Sequence, residues 1–196
     1  MTVVVATTNQ YKLVEIRRIL AGVPFAIDAI SDHVDIAAPA ETGTTFAENA
    51  RLKALHYAAA VPHLTVAEDS GLEIDRLNGA PGIHSARFPG ATYQDKFDRI
   101  YTQLHARGVH TSRARFVCAV ALVKSREVVF EATGTIEGEI AETPSGAGGF
   151  GYDPIFFYQP YGCTLAELTA ERKATVSHRG KAFNLLRTFL LERATT

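Results

Sequence analysis

The first twenty residues change from a strand pattern to a helix pattern, and this change restricts the fold more than any other feature. Val3 to Thr7 is a run of mostly β-branched residues, which favours a short strand. From Leu13 to Leu20 the apolar residues recur at the spacing of one helix face. Thr8 and Asn9 stand between the two patterns. The chain is therefore predicted to begin with a strand, a tight turn and a helix.

Further helices are predicted where capping residues precede apolar patterns. Thr45 opens a capping box before an Ala- and Leu-rich stretch that extends to Ala60. Thr92 precedes a helix whose apolar stripe is expected in the core and whose end is marked by Gly108. Ser177 is predicted to cap the last helix.

Strand patterns lie between these helices. Residues 63–68 and 71–75 are predicted as two strands, with Glu68 and Asp69 at the bend that separates them. Residues 115–124 and 127–137 have strand composition and are separated by two polar residues, which indicates an antiparallel hairpin. We therefore expect an α/β fold with a mixed sheet and flanking helices. No repeat or linker divides the chain, so residues 1–196 are predicted to form a single domain.

Composition excludes several classes of protein. Lys and Arg number 20 and Asp and Glu number 21, so the chain lacks the basic excess of a dedicated DNA-binding protein. Its longest apolar run, Phe116 to Val123, is far shorter than the ~20 residues that span a bilayer. The N-terminus resembles no secretory signal, and a cytoplasmic location is expected. Cys118 and Cys163 are expected to be reduced and structural.

The turn after the first strand is a candidate phosphate-binding site. Residues 7–12, Thr-Thr-Asn-Gln-Tyr-Lys, combine hydroxyls and an amide with the free N–H groups of a helix start and a lysine. The alternative is that Thr8 or Asn9 only caps the helix and that Lys12 is solvated. The chain contains no GxxxxGK[ST] sequence, which excludes a Walker-type NTPase.

Two carboxylates are candidate ligands of Mg²⁺. Glu41 lies before Gly43 in the loop that leads to the Thr45 helix, and Asp69 lies beside Glu68. Mg²⁺ commonly binds one or two carboxylates together with substrate phosphates. Neighbouring strand residues point to opposite faces, so Glu68 and Asp69 need not both touch the metal, and Asp69 is the predicted ligand of the two. The alternative is that Glu68 and Asp69 are a pair of solvated turn carboxylates.

A glycine-rich segment, residues 146–151, matches GxGxxG, but Pro154 and the aromatic residues that follow oppose the helix of a dinucleotide-binding fold. Phe150 and Tyr152 are candidates for stacking on a nucleobase, and Asp153 for accepting from a ring N–H. The alternative is a loop around a structural Asp-Pro turn. Cations that could converge on a polyanion come from Lys53, Lys173 and the segment 177–180, although each alone is more often structural or solvated.

Along nearly its whole length the chain resembles the inosine triphosphate pyrophosphatase family, which hydrolyses non-standard purine nucleoside triphosphates such as ITP, dITP and XTP. The resemblance depends on the order and separation of six blocks: residues 7–12, 41–50, 68–72, 79–88, 149–154 and 177–180. It implies an elongated mixed β-sheet with flanking helices and two lobes around a central cleft. It also implies a homodimer that uses Mg²⁺ and binds a purine nucleotide rather than nucleic acid or membrane.

The resemblance also implies roles for single residues. Glu41 and Asp69 would bind Mg²⁺, and Asp69 would activate the attacking water. The residues implied in substrate binding are Thr7, Thr8, Asn9, Lys12 and Lys53 towards the phosphates, and Phe150, Gly151, Tyr152, Asp153, Lys173, His178 and Arg179 towards the base and sugar. Ser70 would also contact the substrate. Among the last group, His178 and Arg179 would contact the 6-keto edge. Ala40 departs from several members, which carry a second glutamate before Glu41.

Two other functions remain open from the sequence. A Maf-like nucleotide pyrophosphatase shares the general architecture but prefers other bases, and the blocks at 150–153 and 178–179 argue against it. A module that binds a triphosphate without cleaving it would not need both Glu41 and Asp69. A carbohydrate hydrolase with paired carboxylates leaves the cations unexplained.

Overall fold

A computed structural model describes residues 1–194, and within that range the chain forms one sheet and five α-helices. The strands are β1 Thr2–Val5, β2 Ala26–Ala29, β3 Leu64–Ile74, β4 Arg113–Lys124, β5 Glu127–Ile140, β6 Phe156–Tyr158 and β7 Cys163–Thr164. The helices are α1 Gln10–Ile19, α2 Phe46–Ala58, α3 Tyr93–His105, α4 Ala170–Val176 and α5 His178–Ala194. None of these helices is both long and apolar enough to cross a membrane.

The sheet has the strand order β2-β1-β3-β4-β5-β6-β7. Strand β1 pairs in parallel with β2 and with β3, whereas β6 pairs in antiparallel fashion with β5 and with β7. The predicted α/β class with a mixed sheet and flanking helices is therefore confirmed.

The helix starts predicted at the Asn9 turn, at Thr45 and at Thr92 are confirmed by their capping contacts. The Asn9 side chain accepts a hydrogen bond from the Lys12 backbone N–H, which begins α1. Thr45 and Thr92 each form a capping box, with Glu48 and Asp95 as the respective return partners. These contacts satisfy backbone N–H groups that a helix start leaves without partners.

The predicted hairpin is confirmed and is longer than the sequence indicated. Strands β4 and β5 are neighbours in the sheet, and Ser125 and Arg126 join them with φ angles of 50° and 70°. Two successive positive φ angles are characteristic of the two-residue turns that match the twist of paired strands.

The predicted bend at Glu68 and Asp69 is wrong. Strand β3 runs without interruption from Leu64 to Ile74, so both carboxylates lie in mid-strand, and both are buried. Gly71 was predicted to begin a second strand, but Gly71 and Leu72 are buried, and pairing within the sheet keeps the backbone extended through them. The sequence analysis also missed β2, β6, β7 and α4, which are short.

The chain divides into two compact units. Unit 1 consists of residues 1–70 and 118–134 together with the segment that begins at His178, and unit 2 consists of residues 71–117 and 135–177. In unit 1, helices α1 and α5 pack together, and strand β1 is largely buried. In unit 2, the predicted stripe of α3 is confirmed, because Phe97, Ile100 and Leu104 are buried in the apolar core.

Candidate active site

In unit 1, the Asp69 carboxylate is held by two side chains of α2. Nδ2 of Asn49 donates to Oδ2 of Asp69 at 3.2 Å, and Nζ of Lys53 donates to Oδ1 at 2.9 Å. Asn49 and Lys53 are four residues apart, so they share one face of the helix. Lys53 Nζ also lies 2.9 Å from Oε1 of Glu41. The two candidate metal ligands therefore contact the same ammonium group.

One ammonium group and two other carboxylates act on the pKa of Asp69. Burial raises the pKa of Asp69, the Lys53 ammonium offsets part of that rise, and the neighbouring carboxylates of Glu68 and Glu41 add to it. Burial would lower the pKa of Lys53, but the facing carboxylates outweigh burial and raise it. Lys53 is therefore held in its charged form among acidic groups. It provides positive charge beside the two carboxylates.

Glu68 faces a different set of cations, as the alternation of strand residues predicts. Its Oε1 lies 2.6 Å from Nζ of Lys12 and 3.3 Å from Nη2 of Arg179. Burial would raise the pKa of Glu68, but the Arg179 guanidinium and the Lys12 ammonium outweigh burial and hold the pKa well below its usual range. Glu68 is therefore an ionised acid in the interior, stabilised by two cations.

Arg179 links Glu68 to helix α1 and to the residue after Asp69. Its Nη1 donates to Glu15 at 2.8 Å, and its Nη2 donates to the hydroxyl of Ser70 at 3.0 Å. The preceding His178 is also buried. A side chain on Gly134 of β5 would collide with the backbone carbonyl of His178, so glycine at this position lets the start of α5 approach the strand.

The candidate phosphate turn is built around Asn9. The Asn9 N–H donates to the Thr7 hydroxyl at 3.2 Å, and its side chain caps α1. Thr8 and Asn9 are exposed, and the first turn of α1 contains no acidic residue. The cap and the phosphate-binding interpretation are compatible, because a capped helix start keeps further N–H groups and its positive dipole end.

In unit 2, Asp153 and Lys173 form a buried ion pair. Oδ2 of Asp153 lies 2.5 Å from Nζ of Lys173 and also accepts the Phe150 N–H at 2.7 Å. The same ammonium lies 4.8 Å from the centre of the Phe150 ring. Gly149 has a φ of 66°, and a side chain there would collide with the Asp153 carboxylate. The glycine-rich turn is therefore closed around Asp153.

Tyr152 is fixed from the other side of this turn. Its hydroxyl donates to the Ser85 carbonyl at 2.8 Å, and Ser85 Oγ accepts the Leu72 N–H at 2.9 Å. Burial raises the pKa of Tyr152. Most of the Tyr152 side chain is therefore committed to packing inside unit 2, where it supports the turn that carries Phe150 and Asp153.

The structure groups most of the predicted site residues into two sets. The first, in unit 1, contains Glu41, Lys53 and Asp69 and, around Glu68, Lys12, Ser70 and Arg179. The second, in unit 2, contains Phe150, Gly151, Tyr152, Asp153 and Lys173. The alternatives that Glu68 and Asp69 are solvated turn carboxylates and that Lys173 is solvated are wrong, because all three residues are buried. Sequence reasoning did not assign a role to Asn49, Glu15 or Ser85.

Comparison with known proteins gives the relationship of the whole chain. A family model described as the Ham1 family matches residues 3–189. The chain belongs to the Ham1 family. It is 43% identical to a dITP/XTP pyrophosphatase of an Exiguobacterium strain, with 95% of each chain covered. It is 40% identical to a dITP/XTP pyrophosphatase of Methylacidiphilum infernorum, with 97% of this chain and 94% of the relative covered.

A solved Ham1 protein from Coxiella burnetii has the same fold, with a TM-score of 0.88 and 37% identity. The alignment covers 98% of this chain and 99% of that one. The predicted relationship to nucleoside triphosphate pyrophosphatases is confirmed by these matches, and so is the predicted fold class. They cover both units of the Ham1 chain described here.

Proposed function

We propose that this protein hydrolyses non-standard purine nucleoside triphosphates, such as ITP, dITP and XTP, to the nucleoside monophosphate and pyrophosphate. It is a hydrolase that removes these compounds from the nucleotide pool. The observation that carries the proposal is the contact of Glu41 and Asp69 with one ammonium, that of Lys53. Two acidic groups and a lysine provide the ligands and the charge compensation that cleavage of a polyphosphate requires.

The residues of unit 1 act on the phosphates. Thr7, Thr8, Asn9 and Ser70 hydrogen-bond phosphate oxygens, and Lys12 and Lys53 offset their negative charge. A water molecule attacks the α-phosphorus, the bond from that atom to the bridging oxygen of the β-phosphate breaks, and pyrophosphate leaves. Asp69 accepts the proton of the attacking water. The hydrogen bond from Asn49 keeps the Asp69 carboxylate in one orientation while it does so.

Mg²⁺ fits the donors that the chain offers. Glu41 and Asp69 are hard oxygen ligands that would hold it, and two protein carboxylates are a usual share when phosphates supply the rest. When bound, the ion neutralises phosphate charge and makes a coordinated water more acidic. Ala40 provides no carboxylate, so Glu41 is the acidic residue of this loop in the proposed site.

A second group of residues binds the nucleoside. Phe150 and Tyr152 form the apolar face for the base and sugar, and Asp153 and Lys173 fix the turn and face the polar edges of the base, with the Gly151 backbone close to the ligand. His178 and Arg179 are assigned to the 6-keto edge. Adenine has a donor at that position, and a buried donor that loses its acceptor costs ~1–3 kcal/mol, which corresponds to roughly ten- to a hundredfold discrimination against ATP.

The proposal also covers the domain organisation, the oligomeric state and the location of the protein. The chain passes four times between the two units, so we treat residues 1–196 as one functional domain. It acts as a homodimer in the cytoplasm on a small nucleotide, as the family resemblance implies, with no nucleic acid or membrane as partner. A gel-filtration mass equal to one chain would contradict the dimer.

The test is to incubate the protein with Mg²⁺ and ITP, ATP or GTP in parallel and to resolve nucleotides by ion-exchange chromatography. Pyrophosphate and phosphate are assayed separately. The expected products are IMP and pyrophosphate, with ATP and GTP largely intact. Formation of IDP and phosphate would contradict attack at the α-phosphorus. Binding of ITP without any cleavage would favour a nucleotide-sensing module instead.

A further inference from the structure

A second tyrosine stands at the turn that carries the nucleoside-binding residues. Tyr93 is the first residue of α3, and its side chain reaches the turn at Gly151. A methyl group placed on Gly151 would lie 3.6 Å from the Tyr93 hydroxyl and 3.7 Å from its ring. The Tyr93 ring meets the Tyr152 ring edge-on, with the centroids 5.3 Å apart. All of these residues belong to unit 2.

The position of the Tyr93 ring is fixed although the residue is 41% exposed. Nζ of Lys96 lies 4.9 Å from the ring centre and donates to the Ala86 carbonyl at 2.8 Å, so the lysine itself is anchored. The Thr92 capping box fixes the backbone from which Tyr93 projects. An exposed phenol held in one place has a low entropic cost of ordering when it contacts a ligand.

The surroundings of Tyr93, including the turn, also affect the pKa of its hydroxyl. Burial raises the pKa of Tyr93, and the nearby Asp153 carboxylate raises it further. The hydroxyl therefore stays protonated and can both donate and accept a hydrogen bond. It stands next to the backbone that presents Phe150 and Asp153.

We propose that Tyr93 is a specificity-determining residue that contacts the nucleoside part of the bound nucleotide, with its hydroxyl hydrogen-bonding a polar group of the base or sugar. This rests on the proposed function of the turn. Nucleoside selection then depends on a residue of α3 as well as on the glycine-rich segment. The ring of Tyr93 packs against the nucleoside, and its hydroxyl hydrogen-bonds one polar group of the base or sugar.

The chain contains a closely matched control. Tyr161 is 39% exposed, has the Arg172 guanidinium 4.9 Å from its ring centre, and meets the Tyr158 ring edge-on at 5.2 Å. It shares the exposure, cation and aromatic neighbour of Tyr93 but has no role in the proposed site. A general effect of losing a tyrosine hydroxyl or ring should therefore be equal at the two positions.

The test compares Tyr93→Phe, Tyr93→Ala, Tyr161→Phe and Tyr161→Ala in steady-state hydrolysis of ITP and dITP. Tyr93→Phe should raise KM roughly two- to tenfold, the size of one neutral hydrogen bond, with kcat nearly unchanged. Tyr93→Ala should raise KM further. The Tyr161 variants should match the wild type. A larger effect of Tyr93→Phe on ITP than on dITP would assign the contact to the 2′-hydroxyl, and an equal effect would assign it to the base or the rest of the sugar.

Values for both Tyr93 variants equal to those of the Tyr161 variants would overturn the proposal, as would a fall in kcat without a change in KM. The phenylalanine variant keeps the ring and its packing, so it remains informative if the alanine variant unfolds. The affinity for ITP, measured by calorimetry, tests the same Tyr93 contact independently of turnover. A wild type that binds ITP but does not cleave it would refute the proposed function alone, and one that binds no ITP would refute both.

Discussion

Nη2 of Arg179 lies 3.3 Å from Oε1 of Glu68, and each of these side chains is only 2% exposed. Two opposite charges are thus held in the interior of unit 1, where desolvation is expensive and pairing has to compensate for it. Lys12 adds a second cation to the same carboxylate oxygen. The cluster therefore has an acidic centre whose loss would leave two cations without that partner.

Replacement of Glu68 by glutamine is predicted to destabilise the protein strongly. The substitution removes the negative charge but leaves Arg179 buried, and loss of one partner of a buried pair typically costs ~3–5 kcal/mol. Urea denaturation followed by circular dichroism measures the change in unfolding free energy. The matched control is Glu131→Gln, which removes the charge from the exposed pair with Arg51 and should change the unfolding free energy far less, because solvent screens that pair. Equal changes in the two variants would show that burial of the Glu68 pair carries no special weight.

Asp69→Asn is predicted to reduce turnover of ITP at least ~100-fold, because an amide cannot accept the proton of the attacking water. Circular dichroism checks the fold, and calorimetry checks that ITP still binds. Both should be largely preserved, since asparagine has nearly the same shape and its one amide oxygen can still accept a hydrogen bond from Asn49 or from Lys53. Near-normal turnover would remove Asp69 from its proposed role.

The capping box of α2 gives a prediction for acid stability. Hydrogen bonds from the Thr44 backbone and hydroxyl, together with that from the Thr45 N–H, lower the pKa of Glu48 below its ordinary value of 4.5. A carboxyl group whose pKa is lower in the folded state than in the unfolded state stabilises the folded state at pH values above its unfolded-state pKa. This stabilisation is lost as the pH falls through the pKa of the folded state. The wild type should therefore melt above Glu48→Gln at pH 7, and the difference should vanish as the pH falls well below 4.5.

Thermal unfolding at a series of pH values measures this difference. Glutamine is also a favourable residue at this capping position, so the substitution isolates the charge. Glu127→Gln, at the first residue of β5, serves as the control for removal of one negative charge. A gap in melting temperature that stays constant from pH 7 to strong acid would contradict the assignment to Glu48.

The sequence predicted features whose causes are local. The Thr45 and Thr92 helix starts depend on residues three positions apart, and the turn at Ser125 and Arg126 depends on two residues between strand patterns. The alternation of side chains along a strand was enough to separate Glu68 from Asp69, and the structure gives them different partners.

Features that depend on distant contacts were not predictable in the same way. Glu68 and Asp69 were placed at a bend because they lie where two strand patterns meet. Acidic residues are rarely buried, and the cations of α1, α2 and α5 make the burial of these two tolerable. The pairing of Asp153 with Lys173, 20 residues later, likewise has no local signal. Strand β2 has four residues and gains its stability from pairing with β1.

Asn49 offers the most direct test of how the fold prepares Asp69, because its amide contacts the site on both sides. Nδ2 donates to Asp69 at 3.2 Å, and Oδ1 accepts the N–H of Gly43, two residues from Glu41, at 2.9 Å. Asn49→Ala should lower kcat for ITP about tenfold with a smaller change in KM, since a misoriented base affects the chemical step more than binding. Asn49→Asp should lower it further, because a second carboxylate would face Asp69 and could not donate to it. Asn184→Ala, at an exposed position of α5, should leave both constants unchanged. If kcat of Asn49→Ala equalled that of Asn184→Ala, Asp69 would not depend on this hydrogen bond for its orientation.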